Sequence, residues 1–458
     1  MKIGLVICTY NRPEYLRFCY ESLMRADLSK LSDIVVVDDC SSDMAVLSMT
    51  DQFLADVTEK YEGNILCSAH MKPQRKSIKD SLMFGFDLAM KCFCDVFINL
   101  DGDAQVRNDF IDVLLGVHKN YPAGITTGFN CNTLNRDGSV RHKNLWIEKD
   151  GTVMRESVGG INMCFSREVY FKYVRPALMT CLEHGGNWDA TACKYSMKDS
   201  LPVAVCQQSV VQHLGIKSSM GHDAGGEPAD VADDFKPLAL PNVTLIAADD
   251  KIEGIIKAAD ISCRDIQFGF VKLLSCQESS DSRAIKIRKL GSKKEYSQFI
   301  FKEIINFIET DHFIVFQWDG FVLNYKAWDD KFLNYDYIGA PFEWYNDDMK
   351  VGNGGLSLRS RKLHQLIQDE KLELCNDQYI KDFAEDHNIC RIHRPFLESK
   401  GIKFAPVELA RKFSIEAWKS HDNKYKGSFG FHGFSVDFSG TQLPYIPYLL
   451  PNNERKIF

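Results

Sequence analysis

A chain of 458 residues with 55 basic and 62 acidic side chains, net charge −7, is too long for one hydrophobic core and suits two domains. That balance excludes a protein whose main work is holding nucleic acid phosphates, so no nucleic acid partner is expected. No stretch reaches the roughly 18 apolar residues that span a bilayer. The 15 cysteines, odd in number and scattered through apolar runs, predict reduced core thiols in a cytoplasmic protein.

Met1-Lys2 leads directly into Ile3–Cys8, which reads as a first strand rather than a signal peptide. Pro13 then opens a helix with Leu16, Cys19, Tyr20 and Leu23 on its inward stripe. Ile34–Val37 is a second, wholly apolar strand ending in Asp38-Asp39, and Asn64–Ala69 a third. A helix from about Arg75 to Lys91 precedes a fourth strand, Asp95–Asp101. Strands alternating with helices predict an α/β domain whose mostly parallel sheet binds ligands at the C-terminal strand ends. Those ends are Thr9-Tyr10-Asn11, Asp38-Asp39 and Asp101-Gly102-Asp103. Two carboxylates separated by one glycine repel each other, which makes sense if Mg²⁺ or Mn²⁺ sits between them and a diphosphate; the bland alternative is an Asp-Gly turn. No Gly-x-Gly-x-x-Gly follows the first strand and no Gly-Lys-Ser/Thr loop is present, which disfavours a dinucleotide fold and a P-loop.

Three segments taken in order, Cys-Thr-Tyr-Asn-Arg-Pro-Glu-Tyr-Leu from Cys8, Val-Val-Asp-Asp-Cys-Ser-Ser-Asp from Val36 and Asn-Leu-Asp-Gly-Asp from Asn99, resemble the family 2 glycosyltransferases of the GT-A fold. The resemblance covers roughly residues 1 to 220. It implies a UDP-sugar donor, an Mn²⁺ or Mg²⁺ ion and an oligosaccharide or glycolipid acceptor. By position, Thr9, Tyr10, Asn11 and Arg12 would border the nucleotide, and Asp39, beside Asp38, would accept from the base. Asp101, Gly102 and Asp103 would hold the diphosphate and metal, with His213 completing the metal site and Lys79 or Lys76 as a basic residue near the donor. Gly160 of Gly159-Gly160 would let backbone approach the ligand, and Asp189, at the start of a helix near Ala190, would be the base of an inverting transfer. The alternatives are Asp189 as a helix cap and Glu183 as the base. The Gly- and Asp-rich stretch from Ser218 to Asp234 reads as a loop that closes over the donor.

Pro237–Pro241 marks a boundary, giving domains 1–236 and 237–458. Beyond it the plan repeats, with strands at Val243–Ala248, Phe270–Ser275 and Ile285–Leu290 and a helix at Tyr296–Glu309. The strand His312–Phe316 again runs into an acid followed by glycine, Asp319-Gly320. Gly354-Gly355 echoes the first glycine pair and Glu385-Asp386 echoes Asp189, so the expected architecture is two GT-A-like, Rossmann-related α/β domains in tandem. Asp319 and Gly355 would hold a second donor, Asp319 and His432 a metal, and Asp386 or Glu385 would be the base. Phe321 stands where the second metal aspartate would be. Residues from about Val243 to Gly433 also resemble an uncharacterised bacterial domain found beside glycosyltransferases. The expected function is a bifunctional glycosyltransferase building a surface polysaccharide or lipopolysaccharide, with peripheral association at the inner face of the membrane through its acceptor. Competing readings are one active domain with a glycan-binding partner domain, and a nucleotidyltransferase.

Overall fold

Every residue of β1 (Ile3–Thr9) is buried, and its side chains divide by parity: Ile3, Leu5 and Ile7 join one core, Val6 and Cys8 another. A strand buried on both faces needs apolar residues at every position, which is why these runs read as continuous rather than alternating. Truncating a fully buried member such as Leu5 to Ala costs about 2–5 kcal/mol. The computed structural model describes residues 1–135, 137–215, 230–376, 382–416, 424–433 and 435–439. It divides into two units, Met1–Leu238 and Ala239–Phe458.

In the first unit β1, β2 (Asp33–Asp38), β3 (Leu66–Met71) and β4 (Val96–Asp101) run parallel in the order β3-β2-β1-β4. After β5 (Ala104–Val106) come β6 (Thr126–Thr127), β7 (Asn144–Ile147), β8 (Val153–Arg155), β9 (Asn162–Ser166) and β10 (Val203–Val205). The sheet continues from β4 through β9-β6-β10-β8-β7, with β9 antiparallel to β4. One core packs α1 (Pro13–Arg25), α2 (Met44–Lys60) and α4 (Phe110–Asn120) on one face; α3 (Ile78–Lys91), α5 (Arg175–His184) and α6 (Trp188–Lys198) cover the other. Pro13 sits in the first turn of α1, and Leu16, Cys19, Tyr20 and Leu23 face inward. The helix read as starting near Arg75 begins at Ile78, because the Ser77 hydroxyl accepts the Asp80 N–H at 3.3 Å and caps it there. β11 (Val211–His213) pairs antiparallel with β5, placing His213 opposite Ala104.

The second unit contains β12 (Leu238–Ala248), α7 (Ile252–Ser262), β13 (Ile266–Ser275), β14 (Ala284–Lys286), α8 (Lys293–Gln298), β15 (His312–Phe316), β16 (Tyr337–Gly339), β17 (Leu356–Ser360) and α9 (Arg361–Asp369). Its sheet runs β14-β13-β12-β15-β17-β16, with β12 parallel to β15 and β17 antiparallel to β15. The first four strands of each sheet stand in the same order, third-second-first-fourth, followed by an antiparallel strand. The single helix read from Tyr296 to Glu309 is broken: after α8 the chain passes through a π-helical turn, Phe299–Glu303, and a 3₁₀ turn, Ile304–Phe307. Phe299, Ile300, Phe301, Ile304 and Ile305 are all buried there, so packing on more than one side overrides a regular α-helical stripe. β18 (Ser414–Glu416) and β19 (Gly430–His432) form a short parallel pair. All 15 cysteines are free thiols, and among the described residues no helix is long and apolar enough to cross a membrane.

Candidate active site

The left-handed conformation of Asn11 (φ 51°) and Arg12 (φ 57°) ends β1 abruptly and turns the chain across the tips of β2 and β4. The Asn11 side-chain carbonyl accepts the Ser42 and Asp43 N–H groups at 3.0 and 3.3 Å, and its own N–H donates to Ser41 Oγ at 2.7 Å. Asp38 is turned into the loop, where it accepts from the Ser41 N–H at 2.7 Å and hydroxyl at 2.5 Å. Asp39 is the acid at the β2 tip. Its Oδ1 accepts from Lys72 Nζ at 2.7 Å and from the Lys76 N–H at 3.0 Å. The Tyr10 ring is covered by the Arg75 guanidinium at 4.1 Å, while Thr9 is buried and its carbonyl accepts the Asp39 N–H at 2.9 Å.

At the β4 tip, Gly102 donates to the Cys8 carbonyl at 3.0 Å, and a Cβ there would lie 3.1 Å from that oxygen. The neighbouring acids therefore flank a tight backbone contact with β1. Asp103 is buried and ion-paired with Arg12, and His213 Nε2 approaches it at 3.4 Å. Burial alone would raise the Asp103 carboxyl; His213 and Arg12 outweigh it and hold the group below the usual carboxylate range. Asp101 behaves oppositely. Burial and the like charge of Asp103 push its carboxyl well above that range.

Asp189 lies in the first turn of α6, behind Asn187 at the N-cap. Its Oδ2 accepts the Gly160 N–H at 2.7 Å and its Oδ1 the Ala190 N–H at 2.8 Å. Gly160 is itself held by Asn99, whose side-chain amide donates to the Gly160 carbonyl at 2.7 Å. A Cβ on Gly160 would stand 2.9 Å from the Trp188 ring, so this close approach needs glycine. Burial raises the Asp189 carboxyl despite the two N–H donors, and its charge is felt by Asp101. Glu183 is exposed and its nearest ionic partner is His184 at 3.6 Å, outside this cluster.

Asp101, Asp103 and His213 supply two carboxylates and an imidazole, a donor set that suits Mn²⁺ or Mg²⁺ in kind. Among the described residues no group of three or more His, Cys, Asp and Glu side chains stands close enough to hold a metal ion; Arg12 and His213 provide the counter-charge to Asp103.

In the second unit Asp319, Gly355, Asp386 and His432 also come together. Gln317 and Gly320 exchange backbone hydrogen bonds at 2.8 and 3.1 Å, forming the turn that carries Asp319 past β15. His432 Nε2 lies 3.8 Å from Asp319 Oδ1 and 3.1 Å from Gln317 Oε1, while Nδ1 lies 3.4 Å from Glu416. A Cβ on Gly355 would collide with the His432 ring. Burial opposes a charge on His432, yet Glu416 and Asp319 outweigh it and raise its pKa. Asp386 Oδ2 accepts the Gly354 N–H at 2.9 Å and Oδ1 the His387 N–H at 2.7 Å. Glu385 is committed elsewhere, in a buried 2.9 Å ion pair with Arg359. Phe321 is buried against Phe431, with ring centroids 4.9 Å apart, and serves the core.

Residues 5–178 match the model of glycosyl transferase family 2. The glycosyltransferase match thus falls within the amino-terminal unit. Residues 280–432 match a second family, described as a protein of unknown function, DUF5672. No curated protein matches the chain. Similar solved structures include GalNAc-T7 with UDP, GalNAc and Mn²⁺, 15% identical over 46% of this chain and 44% of that one, with a TM-score of 0.36. S. aureus TarS 1-349 with UDP-GlcNAc is 12% identical over 48% of this chain and 62% of that one (TM-score 0.33), and S. aureus TarS 12% over 46% and 36% (TM-score 0.32). The chain spans less than two thirds of the length of each.

Within the amino-terminal unit the basic residue beside Asp39 is Lys72, which sequence reasoning passed over. Lys79 is directed to the Cys181 carbonyl at 3.3 Å and so ties α3 to α5, and Lys76 contributes its backbone N–H rather than its charge to Asp39. The signal for Lys72 was weak, one lysine among Lys72, Arg75, Lys76 and Lys79, and only burial against Asp39 and Asp80 sets it apart. Asp230 was likewise missed; it accepts from Arg141 at 2.7 Å and approaches His142 at 3.4 Å, and the His213 ring meets its carbonyl at 3.2 Å. Most of the loop read between Ser218 and Asp234, residues 218–229, lies outside the described residues. In the second unit Asp249, just past β12, was missed too; burial raises its carboxyl and Asp319 adds to the shift.

Proposed function

We propose that the protein is a bifunctional, nucleotide-sugar-dependent glycosyltransferase that extends a surface glycan, of the capsule, O-antigen or lipopolysaccharide kind, with one sugar added by each of two GT-A-like domains. The observation that carries this is the meeting, at one edge of the first sheet, of Asp39, the acid pair Asp101 and Asp103, and Asp189 seated on backbone N–H groups. Asp39 Oδ2, which neither Lys72 nor Lys76 uses, accepts an N–H of the uracil ring. The donors of Asp101, Asp103 and His213 suit Mn²⁺ or Mg²⁺ in kind, and such an ion, held once they draw together, would supply positive charge to the diphosphate. Asp189 takes the proton of the acceptor hydroxyl as its oxygen bonds to the sugar C1 and the C1–diphosphate bond breaks on the opposite side, inverting the centre. The Gly160 and Ala190 N–H groups fix the orientation of the base.

The carboxy-terminal domain repeats the device with Asp386 on the Gly354 N–H, and Asp319 and His432 at the neighbouring strand tip. A second reading, in which this domain binds glycan or acceptor without chemistry, is favoured by Phe321, whose burial in the core leaves Asp319 without a second acid two residues on. Mass analysis of products from Asp103→Ala and Asp386→Ala enzymes on a lipid-linked oligosaccharide separates the two. Bifunctionality predicts that each variant loses a different sugar addition. An Asp386→Ala enzyme that makes every product would leave the second domain as a binding module.

A further inference from the structure

We propose that a cavity of about 500 Å³ in the carboxy-terminal unit, walled by Trp344 and rimmed by Arg411, Lys412, Lys424 and Lys426, binds an anionic sugar of the acceptor glycan. The volume is that of an ordinary small-ligand site. Its lining holds four basic and two acidic side chains in a chain whose net charge is −7, so the cavity carries a charge bias opposite to the molecule's. Arg411 is oriented by Glu343, to which Nε and Nη2 donate at 3.1 and 2.9 Å. A guanidinium fixed in this way presents its remaining edge as a directional donor to a carboxylate or phosphate. Trp344 is half-buried and braced by Phe342 and Tyr345, with ring centroids 5.0 and 5.8 Å away, which gives the cavity a rigid aromatic wall suited to the apolar face of a sugar ring.

The cavity borders the Asp386 site at two points. Glu416 lines it and also lies 3.4 Å from His432, across the β18–β19 pair. Phe342, which packs on Trp344, has its ring 4.6 Å from that of His387, the residue after Asp386. An acidic sugar seated among the lysines therefore lies behind the wall of the site that Asp386 and His432 form. This inference rests on the reading that the unit handles glycan, but it does not require that the unit be catalytic.

The test is calorimetry on the full-length chain with a glucuronate-terminated disaccharide, its neutral glucose counterpart and a glucose phosphate. The anionic probes are expected to bind at least about tenfold more tightly than the neutral one, with affinity falling as salt rises. The glucuronide binding alone would assign a carboxylate ligand, the phosphate alone a phosphorylated one. Lys412→Glu and Lys426→Glu are each expected to weaken the anionic probe by about tenfold while UDP binding by the amino-terminal domain, the control for folding, is unchanged. Equal binding of acidic and neutral probes, or lysine variants with unaltered affinity, would overturn the proposal. Anionic binding that persists in Asp386→Asn, in a protein whose second domain transfers nothing, would uphold the cavity while the second-transferase reading fell.

Discussion

Asp386 accepts a 2.9 Å hydrogen bond from the backbone N–H of Gly354, 32 positions earlier in the chain. The same contact joins Asp189 to Gly160 in the first unit, at 2.7 Å and 29 positions. In each case the second carboxylate oxygen accepts the N–H of the following residue, so both acids are aimed by backbone rather than by a rotatable partner. A side chain held in this way is pre-organised. The other acids read as candidate bases differ, because Glu385 is fixed by Arg359 whereas Glu183 is exposed.

That difference makes a stability prediction. Glu385→Ala strands the fully buried Arg359 guanidinium without its carboxylate, and breaking a buried pair in this way costs about 3–5 kcal/mol. Asp386→Asn keeps the shape and an acceptor for one of the two backbone N–H groups but turns its NH2 on the other, so it should cost about 1–3 kcal/mol, less than the broken ion pair. Chemical denaturation of the full chain, followed by tryptophan fluorescence, checks the ordering of the two variants.

Lys72 makes a binding prediction. Its ammonium bridges Asp39 and Asp80 at 2.7 Å each, so Lys72→Met leaves Asp39, the proposed acceptor for the base, buried without its counter-charge. UDP affinity should fall by about tenfold or more, whereas Lys79→Met, whose ammonium donates to the Cys181 carbonyl and not to Asp39, should leave it near normal. Equal effects of the two substitutions in calorimetry would return the donor-binding role to Lys79.

How much of this could be read from the chain follows from what each signal depends on. Asp39, Asp101 and Asp103 could be placed because a largely apolar run reads as a doubly buried strand, and the polar residues that follow it lie at the tip. Lys72, Asp230 and Asp249 were not, since their standing comes from partners brought by other elements: Asp80 from α3, His142 and Arg141 from the region before β7, and Asp319 from the turn after β15. The broken helix from Lys293 to Phe307 was hidden for a related reason, because a stretch apolar on several sides has no single stripe to fix its period.

The pH dependence follows from Asp189. Burial raises its carboxyl, so the proton is held above the ordinary carboxylate range of about 4. The proposed base acts in its charged form, and kcat/KM for transfer should therefore fall as pH is lowered through that raised value. For stability the sign is reversed: a raised carboxyl favours the fold in its protonated form, so its contribution is present at low pH and lost as pH rises through the folded-state value. Asp189→Asn should remove that loss, and thermal unfolding of the two proteins across pH 4 to 8, roughly the span of a shifted carboxyl, checks it.

The central claim, that the amino-terminal domain transfers sugar with Asp189 as its base, is tested most directly by measuring UDP affinity and product mass for Asp189→Asn on the same preparation. The amide keeps the shape and an acceptor for one of the two backbone N–H groups but cannot take the acceptor's proton, so UDP should bind as in the unmodified protein while the first sugar addition falls by about 10² to 10⁴. Near-normal turnover in that variant would contradict the account and place the base elsewhere.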